Sequence, residues 1–115
     1  MGLWIGNPEL GAAEKVIWQQ LANRTQGGRA VGGRLSLTDT RLLFVPNHLD
    51  ALTGGKRWEI PLSRVRAIGR QSPDGGLFSG GLRTRLRIET DTGTELFVIG
   101  KLDEVLAVLD AAVPS

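Results

Sequence analysis

The chain contains no cysteine and a single histidine, His48. Without cysteine there are no disulfides, no thiolate nucleophile and no cysteine ligands for zinc. His48 falls in a predicted polar loop, where a solvated side chain is a better interpretation than a general base. Ser36 and Ser63 occupy predicted strand and turn positions with ordinary structural uses. We therefore expect a protein that is not an enzyme and that carries no cofactor and no metal.

Long apolar runs are also missing. No stretch of the sequence approaches the ~20 apolar residues that a transmembrane helix needs. Residues 1–8 contain neither a basic segment nor a long apolar segment, so we predict no signal peptide. We expect a protein that is not transmembrane and that is either free in the cytoplasm or peripheral to the membrane.

What the chain does contain is typical of one globular domain. It has 115 residues, of which 41% are hydrophobic and 23% are charged, values close to globular averages. Its 16 glycines favour turns and therefore β-structure. The 14 basic residues are nearly balanced by 12 acidic residues, which leaves a net charge of +2. We predict a lead-in segment over residues 1–11 and one domain over residues 12–115.

Alternating apolar residues predict the first strands. Val31, Gly33, Leu35 and Leu37 share one face of a strand, because successive side chains of a strand point to opposite faces. Residues 41–45 form a nearly continuous apolar strand, which indicates cover on both faces.

Weaker patterns complete the sheet. Residues 14–23 have no clean period, and we favour strand over helix there because strands follow. Residues 47–56 are predicted to be a polar loop. Residues 95–99 pair back on the preceding strand as a hairpin after a tight turn at residues 91–93, although the pattern does not specify the register. Together these segments predict about seven short strands.

The C-terminal residues change period and predict a helix over residues 101–113. Their apolar side chains recur at the spacing of one face of an amphipathic helix. Asp103 and Glu104 fall in its first turn, where the helix dipole favours negative charge. We expect the helix to plug one end of the curled sheet, with Leu106 and Leu109 buried.

Two segments carry a resemblance to a known family. Residues 33–46 read GRLSLTDTRLLFVP and residues 60–65 read IPLSRV; both are similar to elements of GRAM domains, which belong to the pleckstrin-homology-like family. The resemblance covers residues 12–113. It implies a barrel of about seven antiparallel strands capped by one C-terminal α-helix, in a small stand-alone member of bacterial type. It also implies a non-enzymatic binding module, for anionic lipid in some members and for proteins in others.

The wider family places its usual lipid site in the basic loop between the first two strands. In this sequence the resemblance assigns Arg24, Arg29 and Arg34 to that loop. Tightly spaced lysine and arginine pairs are typical of lipid binders there, and this chain departs from that pattern.

A second basic set follows from strand periodicity. Arg83, Arg85 and Arg87 are predicted to face outward, opposite the apolar residues Leu82, Leu86 and Ile88. A neighbouring segment carries basic residues at even spacing, so up to six guanidinium groups would share one surface if the two strands pair. Such a surface suits phosphate groups or an anionic leaflet. The simpler interpretation is a solvated strand face with weak ion pairs. The neighbouring residues are Arg64, Arg66 and Arg70.

Exposed apolar residues offer another candidate site. Leu77 and Phe78 lie between two glycine pairs at a predicted loop tip, and Trp4 lies in the lead-in segment. They are interpreted either as a wedge that inserts into a membrane or docks a partner, or as a cap folded back on the barrel.

Two function classes remain open on the sequence. The first is a peripheral module that binds anionic phospholipid. The second is a protein-interaction or self-assembly module that uses a sheet edge or groove, as pleckstrin-homology-like folds do. Nucleic acid is disfavoured as a partner, because no aromatic residue interleaves the arginines and the net charge is small.

Overall fold

The computed structural model describes residues 10–76 and 81–114. Within those residues, seven antiparallel strands form one sheet in the order β4-β3-β2-β1-β7-β6-β5. The prediction of a mainly β, pleckstrin-homology-like fold of about seven antiparallel strands with one C-terminal helix is confirmed. The elements are β1 Val16–Gln26, β2 Arg29–Thr38, β3 Arg41–Pro46, α1 His48–Leu52, β4 Trp58–Pro61, a 3-10 turn at Leu62–Arg64, β5 Val65–Gln71, β6 Arg85–Thr90, β7 Gly93–Ile99 and α2 Leu102–Ala112.

The first two strands are joined by a two-residue turn rather than by a basic loop. Gln26 is the register partner of Arg29, and Gly27 has a φ of 61°. A tight hairpin turn of this kind needs positive φ, which glycine adopts without steric cost. The expected basic loop is therefore wrong. Arg24, Arg29 and Arg34 lie within β1 and β2.

One face of the sheet carries the hydrophobic core, and the predicted alternation of β2 is confirmed. Val31, Leu35 and Leu37 are all buried. The ring of Phe97 lies 5.6 Å from that of Phe44, and the ring of Trp58 on β4 lies 5.7 Å from that of Phe97. Each tilted ring pair adds a modest stabilisation to that from burial of the rings.

Gly33 is required where the strands approach closely. A Cβ atom at this position would lie 2.3 Å from the carbonyl oxygen of Val45. No real side chain tolerates that distance, so only glycine allows β2 and β3 to curve together here.

Helix α2 packs against β5 and β6. Val105 and Leu109 are buried, whereas Leu106 is only half-buried. The prediction of burial is therefore confirmed for Leu109 and wrong for Leu106. The centre of the apolar stripe runs through Val105 and Leu109, which are four residues apart, so Leu106 lies to one side of it. Asp103 and Glu104 lie in the first turn as predicted.

The segment predicted as a polar loop contains the short helix α1. Asn47 caps it, with its side-chain oxygen accepting a 2.7 Å hydrogen bond from the backbone N–H of Asp50. Asparagine is among the preferred N-cap residues, and this cap was overlooked in the pattern. His48 is exposed at the start of the helix.

Candidate functional site

The three arginines predicted to face outward do not form one surface. Arg83 precedes β6, and Arg87 is half-buried and lies 3.3 Å from the carboxylate of Glu89. Arg85 is only 1% exposed. The prediction of an outward face is therefore wrong for Arg85.

Arg85 is buried because the connection between β5 and β6 brings Asp74 to it. Arg85 Nη2 lies 2.7 Å from Asp74 Oδ2, and Arg85 Nη1 donates to the hydroxyl of Thr25 at 3.0 Å. The pKa of Asp74 is lowered, first by the backbone N–H of Gly76 and then by Arg85. Arg85 thus contributes to the structure and is not available to a ligand.

The register of β5 and β6 separates the two basic sets. The strands are neighbours, but Arg70 pairs with Leu86 while Arg87 pairs with Gly69. Arg70 therefore lies on the face opposite to that of Arg85 and Arg87. The prediction of six guanidinium groups on one surface is wrong.

The remaining arginines of that segment are also dispersed. Arg64 lies in the 3-10 turn, 2.8 Å from the carboxylate of Asp91, and Arg70 forms an ion pair with Asp103 on α2. Arg66 is exposed next to a register shift in β5.

The arginines first assigned to the lipid loop are largely neutralised. Arg24 Nε lies 2.8 Å from Glu95 Oε1, and Arg29 Nη2 lies 3.0 Å from Asp50 Oδ1. Arg34 is half-buried in β2. The apolar candidates Trp4, Leu77 and Phe78 lie outside the described residues.

The feature that the structure does reveal is an open edge on β1. This strand pairs with β2 along its whole length, but it pairs with β7 only at three positions, from Ala22 to Arg24. Residues 16–21 have no strand on that side within the described part of the chain. We call these residues the β1 edge.

The path of the chain after β7 explains why the edge is open. Lys101 has a φ of 54° and a ψ of 47°, the left-handed conformation. This residue turns the chain away from β1 and into α2. A 2.6 Å hydrogen bond from the side-chain nitrogen of Gln20 to the carbonyl oxygen of Gly100 connects β1 to this turn.

The alternation of an antiparallel ladder indicates which groups the edge presents. In a two-residue hairpin the flanking pair, here Gln26 and Arg29, exchanges hydrogen bonds. Counting back along β1, the backbone N–H and C=O of Gln19 point away from β2 toward the open side. Those of Leu21 point the same way but have Gly100 opposite them, at the end of the β1–β7 ladder. The side chains of Leu21 and Ile17 are 51% and 61% exposed.

A cleft of about 290 Å³ adjoins this edge, and we call it the β1 cleft. Leu21 and Asn23 line it from β1, and Arg83 and Asn47 line it from the connections outside the sheet. The cleft thus combines an exposed aliphatic side chain, carboxamides and a guanidinium group. Such a mixture of apolar surface with a few polar groups is typical of binding sites.

Hydrogen bonds fix one wall of the cleft. The carboxylate of Asp50 accepts from the backbone N–H of Gly32 at 2.9 Å and from the side-chain nitrogen of Asn47 at 3.1 Å. The same carboxylate pairs with Arg29. Asp50 is thereby fully engaged, and α1 is held over β2.

Two arginines beside Leu21 keep their charge available. Arg34 is the register partner of Leu21 on β2, and Arg83 lines the β1 cleft together with Leu21. Neither has an ion pair or side-chain hydrogen bond with another described residue. Seven other arginines do have carboxylate partners. These are Arg24, Arg29, Arg41, Arg64, Arg70, Arg85 and Arg87.

The beginning of β1 is held by a second polar cluster. The carboxylate of Glu14 accepts from the hydroxyls of Thr38 at 2.6 Å and Thr40 at 2.8 Å. Its strongest partner is Arg41, whose hydrogen bonds, followed by that of Thr38, hold the pKa of Glu14 well below its ordinary value. The chain just before β1 is therefore held against the β2–β3 turn.

The described residues contain no helix long and apolar enough to cross a membrane. Over the same part of the chain, no group of three or more His, Asp or Glu residues is arranged to hold a metal ion.

Comparisons with known proteins identify the fold and not a family. No family model matches the chain, and no curated protein matches it. The chain is similar to a crystal structure of the C-terminal domain of an unknown protein from Leishmania infantum, with a TM-score of 0.67. The two chains share 14% identity over 88% of this chain and 85% of the other. This likeness concerns the architecture alone.

Proposed function

We propose that this chain is a non-catalytic protein-interaction module of the GRAM or pleckstrin-homology-like family, and that it binds an extended segment of a partner protein along the β1 edge. The observation that carries the proposal is the one-sided pairing of β1, which leaves residues 16–21 without a second partner strand among residues 10–76 and 81–114. Adding a strand to an exposed sheet edge is a recurring mode of peptide recognition.

The β1 edge supplies both parts of such an interaction. The backbone groups of Gln19 offer main-chain hydrogen bonds, which are independent of the partner's sequence. The exposed side chains of Ile17 and Leu21 offer apolar contacts four residues apart, which select among sequences. An edge this short belongs to the small and transient class of interfaces.

A protein partner is preferred to anionic lipid because of where the arginines lie. Arg24, Arg29 and Arg85 are each paired with a carboxylate, so they offer little free positive charge to a membrane. An exposed edge can pair with strands of other molecules and cause aggregation, so proteins usually protect it. The register shift between Val16 and Trp18, at the beginning of β1, interrupts regular pairing at only one end of the edge.

The test starts from a random peptide library, with peptides long enough to form one strand, selected against the wild-type protein. Selected peptides are then titrated by fluorescence anisotropy against Gln19→Pro and Leu21→Lys. Proline removes an edge N–H that does not bond β2, and lysine is a residue that blocks edge pairing. We expect each variant to weaken binding by about tenfold or more, a loss of about 1.4 kcal/mol.

The matched control is Leu52→Lys, which makes the same change at a leucine of α1 that is 85% exposed. This variant is expected to bind as the wild type does. Hydrogen exchange provides a second measurement, because the amide of Gln19 gains protection when a strand is added. The proposal fails if no peptide is selected, or if the edge variants and the control bind equally. Sedimentation with phosphatidylcholine vesicles, with and without phosphatidylserine, tests the lipid class in parallel.

A further inference from the structure

We infer that the segment bound at the β1 edge is acidic, and that Arg34 and Arg83 form the seat for one of its carboxylates. The inference rests on the proposed function, since it specifies the chemistry of the partner at the same edge. It is carried by two guanidinium groups that flank Leu21, one by strand register and one across the β1 cleft.

The charges around the cleft favour a carboxylate. The carboxylate of Asp50 lies near Gly32 in the cleft wall, but Arg29, Asn47 and the Gly32 N–H already satisfy it. It therefore leaves the charges of Arg34 and Arg83 uncompensated. Guanidinium groups bind carboxylates with charge-assisted and often bidentate hydrogen bonds.

The same charges disfavour a second copy of this chain as the occupant. Pairing of β1 with β1 across a twofold axis would bring Arg34 and Arg83 of both copies to one edge. Like charges at such an interface oppose association and select against the wrong partner. An acidic segment meets the same edge with complementary charge.

Strand geometry predicts a motif for that segment. Side chains of an added strand that share the face of Leu21 recur every second residue, about 7 Å apart. The side chain opposite Leu21 reaches the arginines, the next one on that face lies opposite Gln19, and the one after it packs on Ile17. We expect selected peptides to carry Asp or Glu four residues away from a Leu, Ile or Val.

The test uses a selected peptide that contains Glu at the expected position and the same peptide with Gln there. Both are titrated against wild type, Arg34→Gln and Arg83→Gln. We expect each arginine variant to weaken binding of the Glu peptide by about three- to tenfold and to leave binding of the Gln peptide unchanged. Raising the salt from about 0.1 M to about 1 M should weaken only the Glu peptide, since it shortens the Debye length from about 10 Å to about 3 Å.

The control is Arg57→Gln, an exposed arginine that precedes β4, which should bind both peptides as the wild type does. If Arg34→Gln unfolds, Arg83→Gln carries the test alone, because Arg83 is exposed and lies outside the strands.

The outcomes separate the two proposals. Selection of no peptide overturns both. Peptides that bind at the edge, but bind equally with Glu or Gln, overturn the carboxylate seat and leave the edge interaction standing. Peptides enriched in basic residues overturn the seat as well. Sedimentation velocity that shows a dimer abolished by Leu21→Lys would make a second copy the occupant and overturn the acidic segment.

Discussion

Glu14 and Arg41, which are 27 positions apart in the chain, form a two-pronged ion pair. Arg41 Nε lies 2.9 Å from Glu14 Oε2, and Arg41 Nη2 lies 2.9 Å from Glu14 Oε1. Glu14 precedes β1 and Arg41 opens β3, so the pair fastens the beginning of β1 across the β2–β3 turn. At this end β1 has only β2 beside it in the described structure, and the pair supplements that contact.

Replacing Glu14 by Gln should destabilise the protein by about 1–3 kcal/mol, because hydrogen bonds to a charged group are lost while the shape is kept. The measurement is the free energy of unfolding from a denaturant titration. Asp110→Asn is the control, since Asp110 is exposed on α2 and surface changes usually stay within about 0.5 kcal/mol. A loss for Glu14→Gln no larger than that of the control would contradict a stabilising role.

The Glu14 pair should also make stability depend on pH. Because hydrogen bonds from Arg41 lower the pKa of Glu14 in the folded state, its contribution is present above the unfolded value of about 4.3 and is lost as the pH falls below it. The stability advantage of wild type over Glu14→Gln should therefore shrink as the pH falls from about 5 toward about 2. A difference in stability between the two proteins that stays constant over this pH range would refute the assignment.

Replacing Lys101 by Gly should stabilise the protein by about 0.5–1 kcal/mol. A left-handed conformation costs a side-chain-bearing residue about 1–2 kcal/mol, and the greater chain entropy of glycine offsets about 0.5–1 kcal/mol of the relief. Lys101→Ala keeps the Cβ atom and should give no gain. Denaturant titration of both variants provides the comparison, and equal stabilities would show that the strain is absent.

Replacing leucines on the apolar face of α2 by alanine should lower the free energy of unfolding more at a buried position than at a half-buried one. Leu109→Ala should cost about 2–5 kcal/mol, the range for a leucine in a packed core, because Leu109 has no exposed surface. Leu106→Ala should cost clearly less, since Leu106 is half-buried. Unfolding titrations that rank the two in the opposite order would place the helix in a different orientation.

Local patterns predicted the elements of this fold well. The alternation of Val31, Leu35 and Leu37 and the helical period ending near Leu109 are properties of consecutive residues, so they are visible in one sequence. The error at Leu106 arose because a period defines a stripe on a helix but not the line of contact with its neighbour. The helix α1 was missed because five residues are too few for a period to emerge.

The candidate site was not predicted, although a signal for it was present. Residues 14–26 make a long strand segment, while residues 95–99 are few and lead directly to Gly100 and a helix. A short seventh strand cannot cover a long first strand, which predicts an open edge. Arg34 was assigned to a loop and Arg83 to a row of three, so their position on either side of Leu21 was overlooked.

The sequence by itself determined the fold class, the strand and helix periods and the absence of cysteine chemistry, because these depend on residue type and local spacing. Only the tertiary structure decided which arginines are free. Arg83, Arg85 and Arg87 look equivalent along the chain, yet Asp74 from a neighbouring connection buries Arg85, and Glu89 lies beside Arg87. Charge is available to a partner only where no carboxylate meets it in space, and strand register, which local periodicity does not specify, determines where that occurs.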